Sequence, residues 1–353
     1  MDKIQRSKLQ PIIRSMEPGD GPKLAALFRA NPDDGRIAIS PRYQIDPYQA
    51  IKIQQPTSCG LVAEIQNKIV GFGLVRFGVC QVNGEERPYA WLNSLIVDSA
   101  HRGQGIGTEL AKKRVKLARD RVGGKGLILT SVQSNNEASL AIAKKWANNQ
   151  LGQLQSALVK TRTKPSAIKT NIQVREAASN ELDAVAARLN NFYVNFALYE
   201  PQSAKSLATL LQQAVANEPL HKCFVAINNQ QEIVAGLMLS QQHRLMAMQV
   251  ERLPKAIRML NKLIKMVPPD NVLRQMAVSK VWHLPGYQQA AQELWQTVCW
   301  QARTWGTHLT CFFDPQSSIP QILQIPKWLP KARFTVLAQS SLSTEKVNQL
   351  YPL

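Results

Sequence analysis

Apolar and polar residues along this chain change period several times, and each change marks an element. Ile12-Ile13-Arg14 is a short run suited to a strand. After Pro18-Gly19-Asp20, Leu24, Leu27 and Phe28 recur at helical spacing. Residues 31–60 hold Pro32, Pro41, Pro47 and Pro56 and read mainly as loop, with one helix from Pro47 to Gln54. Leu61–Ile65 and Ile69–Val75 form a hairpin across Gln66-Asn67-Lys68. Val79–Val82 and Arg87–Ala90 flank Asn83-Gly84, a turn pair that suits a tight hairpin. The second of these runs on as Trp91–Val97. Ile106, Leu110, Ala111, Val115, Ala118 and Val122 then fall on one side of a helix, which Gly123-Gly124 ends. A strand over Leu127–Val132 and a helix opening at Asn136 follow.

The pattern then returns. Lys160–Ser166 is polar and broken by Pro165, so a linker is placed at 164–171, between units at 1–163 and 172–353. Ile172–Ala178 parallels Pro11–Glu17. Leu182, Val185 and Leu189 repeat the first helix, and Phe224–Leu237 parallels Leu61–Leu74. In the second unit Leu273–Val278 is expected as the central strand, Trp282–Tyr287 as a loop, Gln289–Trp305 as a helix and Leu309–Phe313 as a strand. An insertion over Val250–Val267 has Ile257, Leu260, Leu263, Ile264 and Val267 at helical spacing, with lysines and arginines between them.

Chemistry concentrates where Trp91–Val97 meets the following helix. The intervening loop ends Arg102-Gly103-Gln104-Gly105-Ile106-Gly107-Thr108, with glycine at every second place. The first N–H groups of a helix have no partner inside it, and glycines let a ligand approach the backbone closely. Together with the helix dipole they suit phosphate oxygens. The spacing is not that of the Rossmann fingerprint, and Thr108-Glu109 replaces the Lys-Ser/Thr of a P-loop.

This stretch resembles the acetyl-CoA loop of the GNAT superfamily of N-acetyltransferases, Arg/Gln-x-x-Gly-x-Gly/Ala after a strand with Val just before the loop. Arg102 or Gln104 opens the motif, according to register, and Val97 stands at the strand end. The element order agrees. The resemblance implies a mixed α/β fold of two tandem GNAT-like domains, each a mostly antiparallel sheet flanked by helices with splayed central strands. It also implies transfer of an acetyl group from acetyl-CoA to a primary amine by direct attack in a ternary complex. It assigns pantetheine to Leu95, Ile96 and Val97, pyrophosphate to Arg102, Gly103, Gln104, Gly105, Ile106, Gly107 and Thr108, and further contacts to Asn136 and Ser139. The Val97 N–H becomes the donor to the developing oxyanion. Two departures stand out. The family's tyrosine, which often protonates the leaving thiolate, is Ala143 here, and the glycine and aromatic after it are Ala147 and Asn148. The central strand offers Trp91, Asn93 and Ser94 but no carboxylate. Glu64, Glu85 and Glu86 lie on neighbouring strands, and general base and acid stay unassigned. In the second unit Leu284-Pro285-Gly286-Tyr287 keeps one glycine, and Pro285 removes a donor, so that copy reads as degenerate.

Composition sharpens the picture only in part. The chain has 353 residues, 44% of them hydrophobic, which allows two cores. The net charge is +19, spread over both halves, and it suits acidic ligands such as CoA. No nucleic-acid-binding motif accompanies it, and the row Lys112, Lys113, Lys116 and Arg119 reads as solvated surface. Cys59, Cys80, Cys223, Cys299 and Cys311 form no C-x-x-C pair and suit a reducing compartment. Met1–Arg6 lacks the apolar core of a secretion signal, and no run is long enough for a membrane span. The expectation is a cytoplasmic enzyme using acetyl-CoA and no metal, acting on an amine-bearing small molecule or protein. The competing expectation is a non-catalytic acyl-CoA-binding or scaffold protein. The glycine loop yields a direct prediction. Gly105→Asp should weaken acetyl-CoA binding by several kcal/mol, on the order of an unpaired buried charge. Calorimetry showing unchanged affinity in a folded variant would contradict the assignment.

Overall fold

The computed structural model describes residues 10–34, 37–340 and 347–352. Met1–Arg6, read above for a leader, lie outside them. In the first half the strands are β1 (Ile12–Ser15), β2 (Asp33–Asp34), β3 (Ala38–Tyr43), β4 (Ser58–Ile65), β5 (Lys68–Val82), β6 (Glu85–Val97), β7 (Leu127–Gln133) and β8 (Asn149–Lys160). The helices are α1 (Gly21–Ala30), α2 (Pro47–Gln54), α3 (Ile106–Val122) and α4 (Glu137–Ala143). The second half has β9 (Gln173–Glu176), α5 (Leu182–Phe192), α6 (Ala204–Leu211), β10 (Ala214–Val215), β11 (Glu218–Pro219), β12 (His221–Ile227), β13 (Ile233–Ser240) and β14 (Met246–Arg252). It continues with α7 (Lys255–Ile264), β15 (Val272–Leu273), β16 (Gln275–His283), α8 (Gln288–Gln301), β17 (His308–Phe313), α9 (Ile319–Ile322) and β18 (Lys331–Gln339).

One sheet runs through both halves in the order β1-β4-β5-β6-β7-β18-β8-β17-β16-β13-β12-β9. Its pairings are antiparallel except β6–β7 and β16–β17. The two halves repeat each other in detail. Arg14 pairs with Asp20 at 2.7 Å, and Arg175 pairs with Glu181 at 2.6 Å, in each case an arginine of the first strand and an acid on the turn before the first helix. A bulge interrupts β6 at Ser94 (φ 52°) and β16 at Lys280 (φ 52°), each opposite a register shift in the neighbouring strand. Such bulges bend a strand and re-aim its groups.

The last strand departs from simple repetition. β18 lies between β7 and β8, while β8 pairs on its other side with β17. Val336 and Ala338 on β18 are fully buried and join the core around Trp91 and Leu154. The segment expected as a linker is tied down: the Ser166 hydroxyl and the Ala167 N–H both reach Gln296 Oε1, and Thr170 N–H donates to the Glu293 carboxylate. A second sheet, β15-β14-β3-β2, joins the halves again through antiparallel β3–β14.

Several boundaries differ from the sequence reading. The central strand of the second half is Gln275–His283, not Leu273–Val278, so Trp282 and His283 belong to it and not to the loop. The bulge breaks the alternation that would have marked one continuous strand. In the expected insertion only Lys255–Ile264 is helical, and Val250 lies on β14. The side chains of Leu260, Leu263 and Ile264 lie outside the described residues. Residues 31–60 hold a true strand, β3, whose Pro41 faces Met248 in register. All five cysteines are free and four are buried.

The insertion of β18 has a consequence for stability. Without it, two buried strands become unpaired edges, which template aggregation. We predict that residues 1–165 alone are insoluble or lack a cooperative melt, and that co-expression with residues 166–353 restores a soluble complex. A cooperative melt of the isolated segment would show that β18 is dispensable.

Candidate functional site

The site begins where two parallel strands part. β6 and β7 pair at Tyr89–Leu127, Ala90–Ile128 and Trp91–Leu129 and no further. The Thr130 hydroxyl closes the junction by donating to the Leu92 carbonyl at 2.8 Å. Beyond it the bulge at Ser94 carries β6 away. Arg114 of α3 holds that bulge: its Nη2 donates to the carbonyl oxygens of Leu74 (2.8 Å) and Asn93 (2.7 Å). Gly73 makes room, since a Cβ there would sit 2.6 Å from Arg114 Cδ. Arg114 is 3% exposed and has no carboxylate partner among the described residues. Burial pushes its pKa down to about 9, so it is still cationic at neutral pH. The gap it props open is lined by Ser94 and Leu95 on one side and by Ser131, Gln133, Asn136 and Ser139 on the other.

At the mouth of the gap the chain forms the glycine loop. Asp98 anchors it: one carboxylate oxygen accepts from the Ala100 N–H (2.9 Å) and the other from Lys68 Nζ (2.8 Å). Those bonds hold the Asp98 pKa below its ordinary 3.8. Gly103 (φ 75°) and Gly105 (φ 83°) occupy the left-handed region, which explains glycine at both places. The N–H groups from Gly103 to Thr108 have no acceptor among the described residues, and the first such bond is Glu109 N–H to Gly105 O at 3.0 Å. A row of free N–H groups at a helix N-terminus has the chemistry of an anion cradle. The Asp98 N–H donates to Val70 O at 2.9 Å. On an antiparallel ladder the neighbouring Val97 N–H therefore faces away from β5 and into the gap.

Cradle and gap open into one cavity of about 1170 Å³. Of the residues the sequence assigned to acyl-CoA, Leu95, Ile96, Val97, Arg102, Gly103, Gly105, Ile106, Gly107, Thr108, Asn136 and Ser139 line it. Gln104 does not. The far end is an apolar chamber. Phe28, Ile39, Tyr43, Ile51 and Leu74 form one wall, and Leu245, Met246 and Met248 of the second half form the other. Tyr43 stacks on Phe28 at 5.8 Å, and burial raises its phenol pKa. None of the three glutamates considered as bases lines this cavity. Glu64 is held by Arg14 (2.8 Å) and Lys23 (3.2 Å), while Glu85 and Glu86 are exposed at the β5–β6 turn. Tyr89 is bonded to Glu200 and Arg76, away from the cavity. The row on α3 is solvated surface: Lys112 pairs with Glu109 and Lys116 with Asp120. Among the described residues no cluster of His, Cys, Asp or Glu could hold a metal.

Two contributors escaped the sequence reading. Arg114 had a signal, because it falls four residues after Leu110 and four before Ala118, on the apolar face. The wall from β14 had none, since only strand pairing brings it across.

The second half closes the same place. β16 and β17 pair over Gln275–Val278 and His308–Cys311 and then part. There the Tyr193 hydroxyl donates to the Val281 carbonyl at 2.6 Å, and Leu350 and Tyr351 fill the opening, leaving about 20 Å³. In the loop that follows, the Leu284 and Tyr287 N–H groups are already bonded, to Val234 O and Leu284 O, and Pro285 has none.

Comparison with known proteins agrees with this geometry. Residues 24–147 match the acetyltransferase (GNAT) family. No curated protein matches by sequence. Among solved structures, Saccharomyces cerevisiae N-myristoyltransferase with bound myristoyl-CoA and inhibitors is similar at 10% identity, with a TM-score of 0.65, over 96% of this chain and 82% of that one. A GCN5-related N-acetyltransferase from Sphaerobacter thermophilus is similar at 12% identity, with a TM-score of 0.60, over 97% of this chain and 96% of that one. At these identities the likeness is one of fold. It extends over nearly the whole chain.

The Asp98 anchor can be tested by pH. Its folded pKa is depressed, so its stabilisation is present above the unfolded value and is lost as pH falls through the folded one. We predict that Asp98→Ala costs about 1–2 kcal/mol at pH 7, as loss of such a cap does. The gap between variant and parent should shrink progressively below pH 3.8, the ordinary carboxyl value. Urea melts across pH 2–7 measure it, and a pH-independent difference would show that the carboxylate is not the source.

Proposed function

We propose that the chain is an acyl-CoA-dependent N-acyltransferase with its site in the first half, using acetyl-CoA and a primary amine. The observation that carries this reading is one continuous cavity with unpaired amides at one end, an apolar chamber at the other and the Val97 N–H between them. The amides from Gly103 to Thr108 and the guanidinium of Arg102 would hold the phosphates. Leu95, Ile96 and Val97, with Asn136 and Ser139 across the gap, would hold the pantetheine arm. The co-substrate supplies a thioester carbonyl.

The chain's own residues then do three things. The Val97 N–H is a fixed donor where negative charge develops on that carbonyl. The bulge held by Arg114 fixes the donor's direction, so little reorganisation is needed during reaction. The walls from α1, β3 and β14 orient the amine and exclude water. Of the described residues lining the cavity, Glu137 of α4 carries a carboxylate and His101 an imidazole; the amine reacts from its neutral form, and its proton leaves to one of these or to solvent. Ala143, buried where the family carries tyrosine, favours a second reading in which the protein binds acyl-CoA without turnover.

One assay separates the two: free-thiol release from acetyl-CoA and longer acyl-CoAs with a panel of amines. We predict turnover that rises with pH along the acceptor's own ionisation, about 7.7–8.0 for an α-amine and about 10.4 for a lysine-type amine. Tyr43→Phe should change the rate by no more than about threefold, well below the 10²-fold or more expected of a general acid. A 100-fold loss would make Tyr43 that acid. Binding without thiol release for any pair would establish the non-catalytic reading.

A further inference from the structure

A second cavity, of about 1030 Å³, shares no lining residue with the first. It lies at the opening end of β17, where β8 finishes and α7 crosses. Lys160, Arg258, Lys262, Lys265 and Arg303 line it from three segments: the end of β8, α7 with its C-terminal cap, and the turn after α8. None of the five is in an ion pair among the described residues. The one acid in the lining, Glu251, already accepts from the Ser40 hydroxyl. His308 lines the cavity at 1% exposure. Its Nε2 lies near the Met266 carbonyl without a hydrogen-bond partner, and burial with Lys160 keeps the ring neutral.

Like charges gathered around a concave pocket repel one another, and the arrangement is relieved by an anion. The number of the charges decides what kind. One phosphate would satisfy two or three cations, and five spread around a pocket match several linked phosphates. A concave pocket of this size suits a small molecule better than a duplex, which needs an open basic face. The lining has no Phe, Tyr or Trp ring on which a base could stack, and the His308 ring is buried. Recognition would therefore rest on phosphates and not on a nucleobase. We propose that this cavity is a binding site for a small polyphosphate anion, separate from the acyl-transfer site.

Calorimetry on the full chain with inorganic tripolyphosphate tests this. Arg258→Glu with Lys262→Glu changes exposed side chains on α7. Lys112→Glu with Lys116→Glu makes the same charge change on α3. Gly105→Asp serves as a third arm, at the glycine loop. We expect one tripolyphosphate per chain at about 0.1 M salt. The α7 pair should weaken it by about tenfold or more, as reversal of two nearby charges does. The α3 pair and Gly105→Asp should leave affinity within about twofold, since each lies outside this cavity and long-range charge effects are screened at that salt. No binding, equal weakening by the α3 pair, or loss only with Gly105→Asp would each overturn the proposal. So would binding of an RNA oligonucleotide in preference to tripolyphosphate. Failure here leaves the acyl-transfer reading untouched, because the glycine-loop arm reports on that site separately.

Discussion

The structure depends on a strand pairing that stops. β6 and β7 are hydrogen-bonded for three residue pairs and then diverge, and everything about the site follows from that divergence. A parallel pair that simply ended would leave backbone groups exposed to apolar surroundings, which is costly. Here the bulge at Ser94 turns the strand, and the buried guanidinium of Arg114 satisfies the Leu74 and Asn93 carbonyls on the inner side. A buried cation with no carboxylate is an expensive device. Its persistence at this point is intelligible because it leaves the groups of Leu95 to Val97 facing an open gap.

The second half uses the same bend for another purpose. Its bulge at Lys280 is intact, yet the gap beyond is filled by Tyr193 and by Leu350-Tyr351, and in the loop that follows the Leu284 and Tyr287 N–H groups are already bonded and Pro285 has none. What this half contributes lies elsewhere. β14 supplies one wall of the chamber, and β18 supplies the strand between β7 and β8. The halves are thus joined by exchanged strands in two sheets, and the chamber exists only when both are present. This explains why one half can lose its own cavity while the fold is kept.

Much of this was legible in the sequence, and what was not has physical reasons. The glycine loop was readable because left-handed backbone needs glycine, and Gly103 and Gly105 adopt it. The helix over Pro47–Gln54 was readable because Asp46 and Pro47 mark its start; Asp46 caps Gln49 N–H at 3.1 Å. The recurrence of Pro11–Glu17 in Ile172–Ala178 was readable from local pattern alone. Strand exchange was not, because a strand's sequence records how much of it is buried and not which strand lies beside it. β18 and β14 are cases in point. Arg114 was readable in principle, as a charge on an apolar helix face, but such a residue is usually taken for a solvated one. The glutamates named as possible bases were spaced on neighbouring strands, and only side-chain geometry shows Glu64 committed to Arg14 and Lys23.

The central claim is that one of two similar bends is a working acyl-CoA site and the other is closed by its own chain. Amide hydrogen exchange with and without CoA tests it most directly, because the donors in question are the exchanging groups themselves. The account predicts slowed exchange at residues 95–108 and 136–139 on adding CoA, with no change at residues 281–290. Protection at 281–290, or none at 103–108 under conditions where CoA binds, would contradict it.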